Sequence, residues 1–476
     1  MNAEPIVGPA GRDIVRCGDG DDVVNAGAGE EIRWGAGNDT IAAGLGDDFA
    51  DGESGNDTWT AREAPTPGFG LSAGEHGWVD CSRSRKRDST DRRDGAGGRA
   101  DPLRCGRMVP GINAAGRRFA LVTGACGFVG RHLVRDLIAD HDEIWMVDDL
   151  SSGRHPDTWL PSLLNQSTGW GDAPRIYDRG RQRVVFVKGN AIEVFGAGIG
   201  VLGAPAANNG LSWPQFDEAY HLASVVGGRK KIENEPLEVG IDLAVDSVFF
   251  LWAARAERLQ RLLYASSSAA YPIELQAEDG AVPLREGYID FAANRVPMPD
   301  MTYGWSKLTG EYLAYVFARS TGVPAWSVRP FSGYGEDQDP SYPIPAIGGR
   351  AARREDPLVV WGSSLQGRDF VHIDDCIRAM RSAIRVIEDG SGINIGSGIL
   401  TTFLKVAEIL AALADYEPKV RGTQTRPVSV HARHADSAVS RKLLSWQPKV
   451  SLQEGLRRVL HAQEEALATP DRGSAT

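Results

Sequence analysis

The chain has 476 residues, of which 42% are apolar, and a formal net charge of −11. That apolar content excludes a wholly disordered or collagen-like chain, the length allows two to four domains, and the acidic total argues against nucleic acid as the main partner. Five scattered cysteines (Cys17, Cys81, Cys105, Cys126, Cys376) form no CxxC pair. Such a set fits reduced thiols in the cytoplasm better than a disulfide framework or a zinc site. No basic and apolar leader is evident and no apolar run approaches 18 residues, so a cytoplasmic protein without membrane contact is expected. The charge is unevenly spread. Residues 1–60 hold 13 acids against 3 bases, residues 61–118 hold 7 against 12, and the remainder 43 against 37.

Residues 1–60 carry a repeat. Gly11, Gly20, Gly29, Gly37, Gly46 and Gly55 follow at steps of nine, with one step of eight, and two residues after each stands an acid. This pattern resembles the RTX nonapeptide, which builds a parallel β-roll whose glycine turns and carboxylates offer hard oxygens to Ca²⁺. Asp22, Asp39, Asp48 and Asp57 are the candidate calcium ligands. The inward apolar position is filled by Val15, Val24, Ile41 and Trp59, but by Arg33 and Ala50 in the other two copies. Two readings stand: a calcium-binding β-roll, or a degenerate repeat that is disordered without the ion. Residues 61–117 are rich in Gly, Arg, Asp and Ser without helical or strand period. They read as a disordered linker with too little apolar area to offset ordering entropy.

From residue 118 strands and helices alternate. The apolar run 118–122 leads into TGACGFVG, with Gly124, Gly127 and Gly130, and then into Phe128, Val129, Leu133, Val134 and Leu137 at helical spacing. A second apolar strand, 143–147, ends at Asp148. Strand, glycine trio, helix, strand and acid in that order predict a dinucleotide site. The glycines admit a pyrophosphate to the helix N-terminus, and the acid accepts from the adenosine ribose, favouring NAD over NADP. Further strands at 184–187, 218–223, 262–265 and 325–328 predict a Rossmann-type α/β fold, a doubly wound parallel sheet. The strand at 262–265 runs into Ser266, Ser267 and Ser268 at the carboxyl edge, where ligands bind in such sheets. Tyr303 and Lys307 follow at i, i+4, on one face of a predicted helix. An ammonium beside a phenol favours the phenolate, and a nearby serine hydroxyl can share the proton.

With TGACGFVG, HLAS (221–224), YASSSAAYP (264–272), YGWSK (303–307), RPFSGYG (329–335), GRDFVHIDD (367–375), NIGSG (394–398) and LLSWQPKVSLQEGL (443–456) in this order, residues 118–465 resemble the extended short-chain dehydrogenase/reductases, in their NAD-dependent epimerase/dehydratase branch. The resemblance implies a catalytic domain at 118–476 whose smaller C-terminal substrate lobe lies mainly at 330–465. It implies Tyr303 as general base, Lys307 as its tuner and ribose ligand, and Ser267 as assisting hydroxyl, with Ser268 the runner-up. It implies NAD contacts from Gly124, Gly127, Phe128, Val129, Gly130, Asp148, Asn190, Leu222, Ala223, Tyr303 and Lys307. It implies a nucleotide-diphosphate sugar held by Ser268, Ser332, Arg368 and Arg433, the two arginines on the diphosphate. Helical segments at about 237–258 and 303–319 match the family's dimer interface, which implies a homodimer.

The reaction is narrowed by Ala269. It stands where dehydratases and decarboxylases of the family carry an acid and some epimerases a cysteine. Serine, tyrosine and lysine alone support hydride transfer at one carbinol carbon, which is all a 4-epimerase with tightly bound NAD needs. A nucleotide-sugar dehydratase, an NAD-dependent oxidoreductase and a non-catalytic NAD-binding protein are the alternatives. So is a calcium-dependent extracellular module at the N-terminus. Asn190, Ser332 and Asp242 depart from the family's usual Asp, Asn and Asn.

Overall fold

A computed structural model describes the backbone of eight short strands between residues 6 and 73, and residues 117–168, 174–199, 213–225, 227, 229–256, 259–278, 281–362, 365–386, 388–423 and 430–468. The chain divides into two units, Met1–Cys105 and Gly106–Thr476. Asp22, Asp39, Asp48 and Asp57 lie outside the described residues, as do Cys17, Cys81, Cys105 and most of 61–117.

In the first unit, alternate strands join two parallel sheets. One contains Ile6–Val7, Val23–Asn25, Thr40–Ala43 and Thr58–Ala61; the other contains Ile14–Arg16, Glu31–Trp34, Phe49–Gly52 and Leu71–Ala73. This is β-roll topology, and its last strand falls inside the segment expected as linker. In the first sheet Ile6, Val24, Ile41 and Trp59 stand in one register column. In the second the column is Val15, Ile32, Ala50 and Leu71. Ile32, not Arg33, therefore stands in the register column of Val15 and Ala50. One shortened step, between Gly29 and Gly37, accounts for the one-residue offset from the expected position.

The second unit is built on a nine-stranded sheet. Its strands are β1 (Phe119–Thr123), β2 (Glu143–Asp148), β3 (Asn165–Thr168), β4 (Arg175–Arg179), β5 (Gln182–Lys188), β6 (Glu218–His221), β7 (Arg261–Ala265), β8 (Ala325–Pro330) and β9 (Asp389–Ile395), in the order β3-β4-β5-β2-β1-β6-β7-β8-β9. From β5 to β9 all pairs are parallel. Residues 165–179 add β3 and β4 as antiparallel strands, with β3 at the edge of the sheet, which the polar sequence of 165–168 did not announce.

Side-chain alternation with period two explains the layers. Ala120, Val122, Ile144, Met146, Val184 and Phe186 join one buried cluster with Leu133, Val134 and Leu137 of α1 (Phe128–Leu137). Their neighbours Leu121, Trp145, Val147, Val185 and Val187 join the opposite cluster. That cluster is completed by Val194 and Phe195 of α2 (Ala191–Ile199), Val245 and Phe249 of α3 (Asp242–Ala253), and Ala314 and Phe317 of α4 (Met301–Thr321). The helix expected at 237–258 is thus broken. A separate turn, Pro236–Val239, precedes α3, and Gly240, a poor helix former by about 1 kcal/mol, stands at the break. A separate apolar cluster binds helices Pro343–Ala352, Phe403–Leu413 and Leu452–Ala468 into the C-terminal lobe. Among the described residues no helix is long and apolar enough to cross a membrane.

Candidate active site

The glycine loop closes the carboxyl end of β1. Gly124 has φ +63°, and a Cβ there would lie 2.7 Å from the Ala223 nitrogen. On Gly130 a Cβ would lie 2.2 Å from the Gly124 carbonyl oxygen. Only glycine allows so close a packing of loop on helix and strand. Gly127 caps α1, which begins at Phe128 and Val129. Asp148 ends β2 beside this loop, its carboxylate accepting from the Cys126 and Leu150 N–H groups at 2.9 and 2.8 Å. Burial raises its pKa above the ordinary value. Asn190 Oδ1 accepts from Ile192 N–H at 2.9 Å, which turns the chain into α2. Leu222 and Ala223 donate to the Thr123 hydroxyl, both at 3.2 Å. Cys126 is fully buried in the loop, and burial pushes its thiol far above the usual range, so it packs as a small apolar group.

Lys307 is a buried cation of the site, 3% exposed. Its Nζ lies 5.7 Å from the Tyr303 ring centroid and 5.3 Å from that of Tyr264. Burial opposes the ammonium, but Tyr303, Asp242 and Asp246 outweigh it and raise its pKa. The two carboxylates, one helical turn apart on α3, are anchored from below. Asp242 accepts from the Ser224 hydroxyl at 2.6 Å and from Val225 N–H at 2.5 Å. Asp246 accepts from the Tyr264 hydroxyl at 2.7 Å and faces His221 Nε2 at 3.0 Å. His221 Nδ1 meets the Thr123 hydroxyl at 2.7 Å, and burial lowers the His221 pKa. A polar chain from β1 through β6 and α3 to β7 thus supports Lys307. The sequence reading did not assign it. The i, i+4 pair Asp242 and Asp246 in an otherwise apolar helix was its one visible sign.

Ser267 caps the short turn Ser268–Ala270, its hydroxyl accepting from Ala269 N–H at 3.1 Å. Ser268 and Ala269 are buried. Behind them Ser266 donates to Glu311, one turn beyond Lys307 on α4. The C-terminal lobe supplies the arginines. Strands Gly367–Arg368 and Ala432–Arg433 pair in parallel with Arg368 opposite Arg433. Arg368 is 9% exposed, donates to the Gly367 carbonyl at 2.7 Å, and lies over the Phe403 ring. Arg433 donates to Asp300 at 2.8 Å and to Gln276 at 2.5 Å. Ser332 begins a strand beside Phe370, and its N–H donates to the Asp369 carbonyl at 2.9 Å. Among the described residues no three His, Cys, Asp or Glu side chains converge as a metal cage.

The profile of the NAD dependent epimerase/dehydratase family matches residues 120–396, and that of the RTX calcium-binding nonapeptide repeat matches 3–30 and 35–58. The UDP-glucose 4-epimerase of Mycolicibacterium smegmatis is 24% identical over 342 residues, 71% of this chain and 96% of that protein. The crystal structure of UDP-glucose 4-epimerase from Thermotoga maritima with UDP-glucose superposes with a TM-score of 0.58 at 24% identity, covering 73% of this chain and 99% of the other. That of dTDP-glucose 4,6-dehydratase from Bacillus anthracis in complex with NAD gives 0.57 at 17% identity, covering 73% and 97%. Strand order, glycine loop and the matched span lead to one assignment: the chain belongs to the NAD-dependent epimerase/dehydratase family.

Proposed function

We propose that the protein is a nucleotide-sugar epimerase of the 4-epimerase type that keeps NAD bound through the catalytic cycle. The residues fit the cofactor. Gly127 caps α1 without a side-chain hydrogen bond to its first N–H groups, which supports a pyrophosphate there. Asp148, bonded to the same loop, supports a ribose contact, and Lys307 beside Tyr303 supports a nicotinamide ribose contact. NAD when bound supplies a hydride acceptor that returns the hydride. In this reading Tyr303 takes the proton of the sugar hydroxyl and gives it back, with Ser267 sharing it by hydrogen bond. Lys307 stabilises the phenolate and holds the nicotinamide ribose. Arg368 and Arg433 clamp the diphosphate, as guanidinium forks suit, while Ser268 and Ser332 face the sugar.

The observation that carries the choice of reaction is position 269. Alanine there is 2% exposed, and its carbonyl takes the Asp300 N–H at 3.0 Å. The methyl group moves no proton, so elimination and epimerisation at C3 or C5 lack their acid/base group there. The test is incubation of the full chain with a panel of UDP- and GDP-sugars, read by NMR and mass spectrometry. A C4 epimer without net NADH is expected. Released NADH or a keto-deoxy sugar would replace this reading by an oxidoreductase or a dehydratase.

Two further parts belong to the proposal. The exposed apolar residues Leu243 and Leu251 of α3 and Trp305, Tyr312 and Val316 of α4 support a homodimer formed across these helices, read by sedimentation. The N-terminal repeat binds Ca²⁺ through carboxylates including Asp22, Asp39, Asp48 and Asp57. A rise in β-structure by circular dichroism on adding millimolar calcium tests it, and no change would count against it.

A further inference from the structure

Arg433 enters the site from the C-terminal lobe with its guanidinium already held. Nη2 donates to the Asp300 carboxylate at 2.8 Å and Nε to Gln276 Oε1 at 2.5 Å. The Arg433 and Asp300 side chains are 11% and 10% exposed, and Gln276 is fully buried. Both partners belong to the catalytic end of the molecule. Gln276 Nε2 donates to the carbonyls of Tyr271 and Pro272 at 3.3 and 2.9 Å, on the loop that follows Ser267 and Ser268. Asp300 is the N-cap of α4, three residues before Tyr303. Its N–H donates to the Ala269 carbonyl at 3.0 Å, and its carbonyl accepts from Gly304 N–H at 2.9 Å.

The next residue, Met301, opens α4 with φ +57°. A residue with a side chain in that region is strained, and it stays there only where its surroundings impose it. Asp300 is gripped by Arg433 through its carboxylate and by Ala269 through its backbone, which supplies that imposition. One residue thus orients an arginine of the substrate lobe and sets the first turn of the helix that bears Tyr303.

We propose that Asp300 is a positioning residue. Its carboxylate aims Arg433 at the substrate diphosphate, and through the same contact diphosphate binding steadies the first turn of α4 and hence the Tyr303 hydroxyl. The proposal rests on the reading of Arg433 as a diphosphate ligand. A hydrogen bond to a charged group contributes roughly 1.5–3 kcal/mol, so loss of the Asp300 charge should weaken nucleoside diphosphate binding by about tenfold or more. Because Asp300 acts through Arg433, the same substitution should do almost nothing once Arg433 is gone.

The experiment uses the full chain with its NAD and titrates UDP and GDP calorimetrically into wild type, Asp300→Asn, Arg433→Met and the double variant. The double variant is expected to bind like Arg433→Met alone. Hydrogen exchange of residues 301–306 is expected to slow when UDP or GDP binds the wild type and to stay unchanged in Asp300→Asn. Losses of affinity that multiply in the double variant, or protection of α4 that survives in Asp300→Asn, would overturn the proposal. Equal affinity in wild type and Asp300→Asn removes the role of Asp300 alone. A wild type that holds NAD but binds neither nucleotide removes the diphosphate reading, and the proposal with it. Should Asp300→Asn not fold, Asp300→Glu keeps the charge and displaces it by one methylene; an unchanged UDP or GDP affinity there would also overturn it.

Discussion

The pair Glu311–Arg329 lies directly behind the Ser266–Ser268 loop, and breaking it should be costly. Arg329 Nε and Nη2 donate to the two Glu311 oxygens at 2.8 and 2.7 Å, and both side chains are 1% exposed. Glu311 also accepts from Ser266, and Arg329 Nη1 donates to the Tyr271 hydroxyl at 2.8 Å, which in turn donates to Asn394 at 2.7 Å. Replacing Glu311 by glutamine leaves a buried guanidinium without its counter-charge, a loss of about 3–5 kcal/mol. With an unfolding entropy of about 2.1 cal/mol/K per residue over roughly 350 residues, that loss lowers Tm by about 4–7 °C. Differential scanning calorimetry of the full chain reads it. The double variant Glu311→Leu with Arg329→Met removes both charges and should be less destabilised than the two single losses combined, because a buried pair exchanged for apolar groups costs little. A drop below about 1 °C in Glu311→Gln, or single losses that simply add in the double variant, would refute the reasoning.

Other outcomes follow from the same geometry. Tyr303→Phe should cut turnover by about a hundredfold or more, the usual worth of a positioned acid/base group, while NAD content measured after denaturation stays at the wild-type level. Gly130→Ala places a methyl 2.2 Å from the Gly124 carbonyl, so the loop must move, and NAD should be lost on gel filtration. His141 is buried between Asp140 at 2.8 Å and Glu218 at 3.3 Å. Although burial opposes its charge, these carboxylates raise its pKa. The stability it adds is therefore full below its ordinary value and lost as pH rises through the raised one. The Tm gap between wild type and His141→Gln should shrink accordingly from pH 6 to pH 9. Glu218 is held down at about 2, against burial, by His141 and Arg381. Its contribution is present above the ordinary carboxylate range and is lost on acidification toward that value, which an acid-unfolding curve of Glu218→Gln reads.

What was legible in the sequence and what was not divides along a physical line. The order of β1, α1 and β2 was readable because apolar periodicity and glycine placement are local. Leu121 and Val122 face opposite layers for no reason beyond their adjacency. Tyr303 and Lys307 were readable as candidates because their spacing is helical. β3 and β4 were missed because their segments, NQST and RIYDR, hold too few apolar residues to mark a strand. β3 ends the sheet, and no apolar alternation marks it. The Arg33 position was misjudged because register is settled by the strand paired beside it, not by counting along the chain. Most of all, the polar groups that hold the site came from distant places: Asp246 with His221, Glu311 with Arg329, Asp300 with Arg433. Each is an unremarkable charge in its own segment. A carboxylate acquires its role only when a cation 18 or 133 residues away closes on it inside the fold. A local pattern can therefore name the residue that does chemistry, whereas the residue that aims it becomes visible only where two segments meet. Asp300 is the sharpest case, since its own segment, PMPDMTYG, marks it as no more than a helix cap.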